Sequence, residues 1–599
     1  MIRLRVGGVG VALLAAALSQ PFSGADAASK LDRALREWMQ QRPTASARVL
    51  IQTRRDNAAR VLQRLTARGA VRAQPLTASG LVVAEVSLDT LQFALRDADV
   101  LHVSSDAQVK STGNALGQNA LLATEGLVYK SGADWKLTTP YTGHNVGVAV
   151  IDSGVNNGEI DSITFFDATN AMKKVGKYDD YGHGTHVSGL LASNGNYSNF
   201  QYQGVAPSVQ LVEVKVLDGQ GNGYTSDVIN AINFVVQNRA ALHVAVINLS
   251  LGHPIYEPAG SDPLVQAVEN AVANGVVVVV AAGNFGGDLT THDPEYAGIT
   301  SPANAPSAIT VGALDTLGTV SRGDDQVAWY SSRGPTWYDG FQKPDIVAPG
   351  SHLVSDVSTT SSLYAKYSKG LIAVGDKKFL TLSGTSMAAP VVSGVVASMI
   401  EASRASHGGA QLTPNAIKAI LQYTALPLQD VDLLSQGAGA LNGTAAIALA
   451  VAIDPRIATG ASWLTTAINP WTTIGADTLT WSQRVVWGDR VVWGNQIYTN
   501  DPAWALRVVW GDRVVWGNRV VWGNSTVWDD GNPALWGNRV VWGNTLIGQA
   551  FGSNVSWGSL SANVDATRVV WGDLQGLNIA PTSMTWGNLE RANDDLVAK

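Results

Sequence analysis

Four short segments carry residue types that together can break an acyl bond. Val148-Ala-Val-Ile-Asp152-Ser-Gly154 ends an aliphatic run in an aspartate. Gly182-His183-Gly-Thr-His186-Val-Ser-Gly189 sets a histidine among glycines. Ser383-Gly-Thr-Ser386-Met-Ala-Ala-Pro390 offers a serine ahead of an apolar run, and Ala281-Ala-Gly-Asn284 offers a side-chain amide. A serine hydroxyl is a weak nucleophile until a neutral imidazole takes its proton. A carboxylate on the far ring nitrogen fixes the imidazole's tautomer, and an amide donor can hold the oxyanion that forms.

Each residue has a plainer use. Asp152 could cap a turn with Ser153 and Gly154. His183 and His186, three apart on a helix, could share a metal, but no third ligand stands at a familiar zinc spacing and no Glu follows His183. Ser386 could be an ordinary helix cap and Asn284 a turn residue. The order Asp, His, Ser, with the amide between His and Ser, favours the chemical reading of the set.

These residues must be held by rigid elements. From about Gly117 to Ala452, continuous aliphatic runs (Val146–Ile151, Val209–Val216, Val244–Leu249 and Val276–Ala281) read as strands buried on both faces. Helical segments separate them. Ser226 is placed to cap one over Asp227–Gln237. Ser261-Asp262-Pro263 opens another, which Gly275 closes. The fold class expected is α/β, a mostly parallel sheet with helices on both faces, with its site at the carboxyl ends of the strands. Asp152 and Asn284 follow such ends.

A chain of 599 residues exceeds one ordinary core. Its net charge of −7 and lack of a basic tract exclude nucleic acid as a partner, and the absence of cysteine excludes disulfides and thiolate metal sites. Residues 1–27 read as an export signal: Arg3 and Arg5, then the apolar run Val9–Leu18, then Ala25-Asp26-Ala27. No transmembrane segment of about 20 apolar residues is expected after it. Residues 28–112 hold a β-α-β-β-α-β pattern: Arg48–Gln52, Asp56–Arg68 ended by Gly69, Val71–Ala73, Leu81–Val86, Leu88–Leu95 capped by Ser87, and Val100–Ser104. That order is ferredoxin-like.

The segments around Asp152, His183, Asn284 and Ser386 resemble the subtilase family of subtilisin-like serine endopeptidases, over roughly Gly117–Ala452. The resemblance implies secreted, autoprocessed peptidase activity through an acyl-enzyme, with Asp152, His183 and Ser386 as the triad, Asn284 in the oxyanion hole and His186 structural. It implies that Ser250, Leu251 and Gly252 pair with substrate backbone, and that Ser301, Pro302 and Ala303 wall the S1 pocket. It makes the module at 28–112 an inhibitory propeptide of the peptidase domain at 113–455. No cofactor is required for the chemistry; structural calcium is possible at the loop Asn194–Gln203, which is longer than the family's. Ser351–Leu382 carries extra residues placed to affect the primed side of the cleft.

Residues 456–599 depart from the family. Fifteen of the 19 tryptophans lie there, and the unit Arg-Val-Val-Trp-Gly-Asn/Asp begins at Arg484, Arg490, Arg507, Arg513, Arg519, Arg539 and Arg568. Val-Val-Trp favours strand and Gly-Asn or Gly-Asp a tight turn, so a β-rich repeat array is expected, either a meander or a solenoid. The tryptophans could form the array's own core. They could instead bind polysaccharide or cell envelope, which would make the chain a surface-binding protein with the peptidase domain as scaffold. An array that assists secretion or is trimmed off is a third reading.

Overall fold

The computed structural model describes residues 30–41, 43–54, 57–76, 80–111, 128–131, 134–137, 140–319, 321–474, 477–487, 490–493, 541–543 and 570–572. The export signal expected at 1–27 and most of the tryptophan array lie outside the described residues. Two units are distinguished, dividing near Ser105 and Asp106.

In the first unit, the sequence pattern becomes α1 (Arg33–Gln40), β1 (Ala47–Thr53), α2 (Ala58–Ala67), β2 (Val71–Leu76), β3 (Leu81–Val86), α3 (Leu88–Arg96) and β4 (Val100–Ser105). The sheet order is β2-β3-β1-β4, with β1 antiparallel to both neighbours. This small antiparallel α+β domain has the expected element order. Register sets Val49 against Ala84 and Ile51 against Val82, and these pack on Val61 and Leu65 of α2 and Leu91 and Leu95 of α3. Gly69, at φ +90°, ends α2 as its sequence position suggests. Ser87 caps α3 by accepting from Thr90 N at 3.2 Å. Helix α1 escapes a periodicity reading because Leu35 is its one buried residue; the Asp32 carboxylate caps it at Leu35 N, 2.7 Å.

The second unit begins with a short strand, β5 (Gln108–Ser111). Its core is a nine-stranded sheet built on β6 (Gly147–Asp152), β7 (Ile163–Asp167), β8 (Gln210–Lys215), β10 (Val244–Leu249), β12 (Val277–Ala281), β13 (Ile309–Asp315) and β14 (Ile346–Pro349). All pairs among these are parallel, in the order β7-β8-β6-β10-β12-β13-β14; the remaining two strands are short antiparallel edges. Strand residues from Val148 to Ile151 and Val277 to Ala281 are buried, as continuous aliphatic runs require. Helices α4 (His183–Ala192), α5 (Thr225–Asn238), α6 (Pro263–Ala273), α7 (Thr385–Ser406), α8 (Pro414–Thr424) and α9 (Gly443–Ala452) complete the α/β layers. Helix α7 is long and apolar enough to cross a membrane, but 94% of its apolar stretch is buried in this unit, so it is a core helix.

Helix α6 starts as read, with Asp262 as cap and Pro263 in its first turn. Helix α5 does not start at Ser226. It begins at Thr225, and Ser226 gives both its N–H (2.8 Å) and its hydroxyl (3.0 Å) to the Asp106 carboxylate. A carboxylate from a distant segment replaces the local cap, and no local pattern encodes it.

Packing of this unit continues well past residue 455. Trp463 and Trp481 are buried in its core; Trp481 Nε1 donates to Thr472 Oγ1 at 2.7 Å, and Ser482 N and Gln483 N donate to Ala425 O and Tyr423 O. The first two repeat units form an antiparallel hairpin, β18 (Arg484–Trp487) with β19 (Arg490–Trp493), in which Val485 faces Val492. For these two units the meander fits; the later units are outside the described residues, apart from two three-residue strands.

Candidate active site

The carboxyl edge of the sheet presents Asp152 at the end of β6, fully buried. His183 is the first residue of α4, and its Nδ1 lies 2.8 and 3.0 Å from the two carboxylate oxygens of Asp152. That contact assigns the proton to Nδ1 and leaves Nε2 as an acceptor. Nε2 is buried and has no protein partner among the described residues. The glycines beside His183 are needed for approach. A Cβ at Gly184 would stand 2.2 Å from Gly154 O, and Gly182 sits at φ +104°.

Ser386 lies in the first turn of α7, where backbone N–H groups and the helix dipole favour negative charge. Its hydroxyl donates to Ser250 O at 2.9 Å, and the Ser250 hydroxyl donates to Ser386 O at 3.0 Å. Asn248, which accepts from Ser393, in turn donates to Ser250 Oγ. Asn284 follows β12. Its Oδ1 accepts from both the N–H and the hydroxyl of Thr385 at 3.0 Å, so the donor end of the amide is turned away from Thr385.

Two further carboxyls lie buried behind Asp152. Asp179 accepts from Ser153 Oγ, Gly182 N and both the N–H and hydroxyl of Thr185 at 2.7 to 2.9 Å. Burial pushes its carboxyl up against these donors. Glu213, on β8, accepts from Gly154 N and Ser188 Oγ at 3.2 Å; burial, then Asp152 and Asp179, push it well above the usual carboxylate range. The sequence reading missed both, because a buried acid in a Val-Glu-Val strand or a pre-helix loop has no motif of its own.

The cleft is edged by β9 (Asn222–Tyr224) and β11 (Leu251–Gly252). The chain's own β5 lies between them, antiparallel to both, with Lys110 opposite Gly252 and Ser111 opposite Leu251. Leu251 and Gly252 therefore do pair with an extended peptide. Asn222–Tyr224 was not read as an edge, although Gly-Asn-Gly-Tyr after a core strand marks a loop at the sheet's carboxyl end. Ser301 and Ala303 are buried and committed to the wall's own framework. Ser301 Oγ donates to Asp262 at 2.7 Å, and Ala303 O accepts from Thr310 at 2.6 Å. The side chain bordering the cleft glycines is the preceding residue's: a Cβ at Gly252 or Gly283 would stand 2.8 Å from Thr300.

His186 is wholly buried, with Nε2 3.2 and 3.0 Å from Leu353 O and Leu380 O. Those carbonyls belong to the extra residues Ser351–Leu382. There β15 (Leu353–Asp356), β16 (Ile372–Val374) and β17 (Lys377–Leu382) form a sheet against α4. Burial, then His183, lowers His186 to about 3, so it is neutral at any ordinary pH. At the loop Asn194–Gln203, Asp161 accepts from Asn194 Nδ2 at 2.9 Å, and Glu159 accepts from Tyr197 N and Ser193 Oγ. Among the described residues no group of three or more His, Cys, Asp or Glu could hold a metal. With the nearby carboxylates committed to protein donors, the loop does not fit the oxygen cage that calcium takes.

Fold and residue set together place the protein in the class of α/β serine hydrolases. The chain belongs to the subtilase family (Peptidase S8), whose model matches residues 143–443. It is similar to serine protease AprX of Bacillus subtilis (strain 168), 41% identical over 311 residues, which are 50% of this chain and 66% of that protein. It is also similar to subtilisin E of the same organism, 36% identical over 258 residues, 43% of this chain and 56% of the relative. The chain thus spans from just over half to about two thirds of these relatives' lengths. Fervidolysin from Fervidobacterium pennivorans, described as a keratinolytic enzyme related to subtilisin, shares the fold with a TM-score of 0.52 at 21% identity, over 67% of this chain and 61% of that one.

Proposed function

We propose that the protein is an exported serine endopeptidase that hydrolyses polypeptides through an acyl-enzyme and processes its own precursor. The observation that carries the reading is β5: an extended peptide already lies along Leu251–Gly252, the strand position a substrate would take. Ser386 Oγ turns from Ser250 O to His183 Nε2, gives up its proton and attacks the scissile carbonyl. Asn284 Nδ2 and the Ser386 N–H receive the oxyanion. His183, held by Asp152, then protonates the leaving amine, and water repeats the cycle in reverse. Residues 28–112 act as the inhibitor until cut away. Residues 1–27 direct export.

The test is the fate of the purified precursor on a gel, beside Ser386→Ala. The native chain should shed an N-terminal fragment near the size of residues 28–112 while the variant stays whole. If both stay whole under refolding conditions, the peptidase reading fails and the tryptophan array becomes the place to look for function.

A further inference from the structure

Glu213 is fully buried, carries a titratable group, and is used by no step above. We infer that it is a positioning residue: its carboxyl ties the turn after Asp152 to the helix that carries His183, and it does so without charge. The inference rests on the peptidase reading of the site.

The connection is direct. Glu213 Oε1 accepts from Gly154 N, two residues beyond Asp152, and Oε2 lies 3.2 Å from Ser188 Oγ, on α4 one and a half turns beyond His183. Strand pairing sets Glu213 beside Val150 and Lys215 beside Asp152, so the carboxyl rises from the strand next to the catalytic aspartate's own.

The charged and titratable groups around it argue against a second anion. Asp152 faces it from β6, Asp179 from the segment before α4, and His183 and His186 stand on α4 itself. Lys215, on its own strand, spends its ammonium on Ser153 O (2.7 Å), Asp180 (2.6 Å) and Leu217 O (2.7 Å). No ion pair to Glu213 occurs among the described residues. A buried anion without a cation and beside two carboxylates is costly, and the neutral acid is the cheaper form. As the acid, Glu213 accepts from Gly154 and donates to Ser188, so both oxygens are matched. Asp179 does the complementary task as an anion: four donors converge on it from Ser153, Gly182 and Thr185. One carboxylate and one carboxylic acid thus grip the Asp152–Gly154 turn from two sides.

The experiment compares Glu213→Gln, Glu213→Val and Ser188→Ala with the native enzyme, reading kcat, KM and the pH profile on a peptide p-nitroanilide. Gln keeps an acceptor and a donor without charge. It should hold kcat within about twofold and leave the acidic limb of the profile in place. Val can neither accept nor donate, and should lower kcat about tenfold with KM little changed, since the error is in orientation and not in binding. Ser188→Ala should fall between them.

A shift of the acidic limb by roughly half a unit or more in Glu213→Gln would show that a charge was lost, and overturns the neutral state. Glu213→Val with native kinetics overturns the positioning role. Should Val fail to fold, Ser188→Ala with native kcat overturns it equally. A native enzyme with no hydrolysis, or an active Ser386→Ala, sinks the peptidase reading itself, a result distinct from any ratio among these variants.

Discussion

Ser250 and Ser386 hold each other: each hydroxyl donates to the other's carbonyl, at 3.0 and 2.9 Å. The Ser386 hydroxyl is thereby parked on the wall of the cleft, and the hydrogen bond it must break to meet His183 Nε2 is a neutral one. Ser250→Ala leaves the carbonyl in place and removes the return bond. It should lower kcat by about threefold to tenfold, the worth of one neutral hydrogen bond, with KM nearly unchanged. Steady-state kinetics against native enzyme decide it; a pure KM effect would mean that Ser250 serves only binding.

The anchoring of Asn284 by Thr385 gives a graded pair. Asn284→Leu should cost about 100- to 1000-fold in kcat with KM preserved. Thr385→Val, which loses the hydroxyl to Asn284 Oδ1 but not the backbone N–H, should cost roughly tenfold. Equal losses in both variants would contradict the idea that the backbone bond alone retains part of the amide's orientation.

His186 makes a stability prediction with a definite sign. Its folded value, about 3, lies below its ordinary 6.5. Between those values the unfolded chain binds the extra proton, so stability falls as pH drops from 6.5 toward 3, by at most about 1.4 kcal/mol per pH unit. Urea midpoints of sulfonyl-fluoride-inactivated enzyme at pH 7 and 4.5 should differ in native protein and differ less in His186→Gln.

Asp356 predicts the opposite slope. Burial and then Glu159 raise it from 3.8 to about 8. The folded chain keeps that proton where the unfolded chain has lost it, so the contribution is full below 3.8 and is lost as pH rises to 8. Asp356→Asn should therefore gain stability relative to native enzyme at pH 9 compared with pH 5. No change in the difference between the two pH values would refute the assignment.

The register of β5 predicts where the precursor is cut. Lys110 faces Gly252 and Ser111 faces Leu251, so counting one residue on meets Ser250, whose carbonyl holds the Ser386 hydroxyl. Cleavage should follow Thr112, and Edman or mass-spectrometric sequencing of the mature chain should read Gly113 first. A start more than a few residues away would mean that β5 is not seated as substrate.

Much of this was legible in the sequence because the informative contacts are local. Aliphatic runs named the strands, Gly69 and Ser87 bounded helices by their own backbone chemistry, and the glycines around His183 announced close packing. What stayed hidden depends on partners far along the chain. Ser226 was read as a cap, but Asp106 supplies the carboxylate. Ser301 and Ala303 were read as cleft walls, but the adjacent Thr300 borders the glycines. Glu213 and Asp179 have meaning only once β6, β8 and α4 are assembled, and Trp463 and Trp481 were read with the repeats although they pack into the core of the preceding domain.

The strand between Asn222–Tyr224 and Leu251–Gly252 belongs to the same molecule as the cleft it fills. While the chain is intact, that peptide faces the cleft at an effective concentration fixed by its tether, commonly millimolar, so adding substrate or diluting the precursor changes its occupancy little. Once the tether is broken, the same contacts become an ordinary bimolecular equilibrium. Dilution alone then empties the cleft, and the activity released depends on how much enzyme shares a given volume.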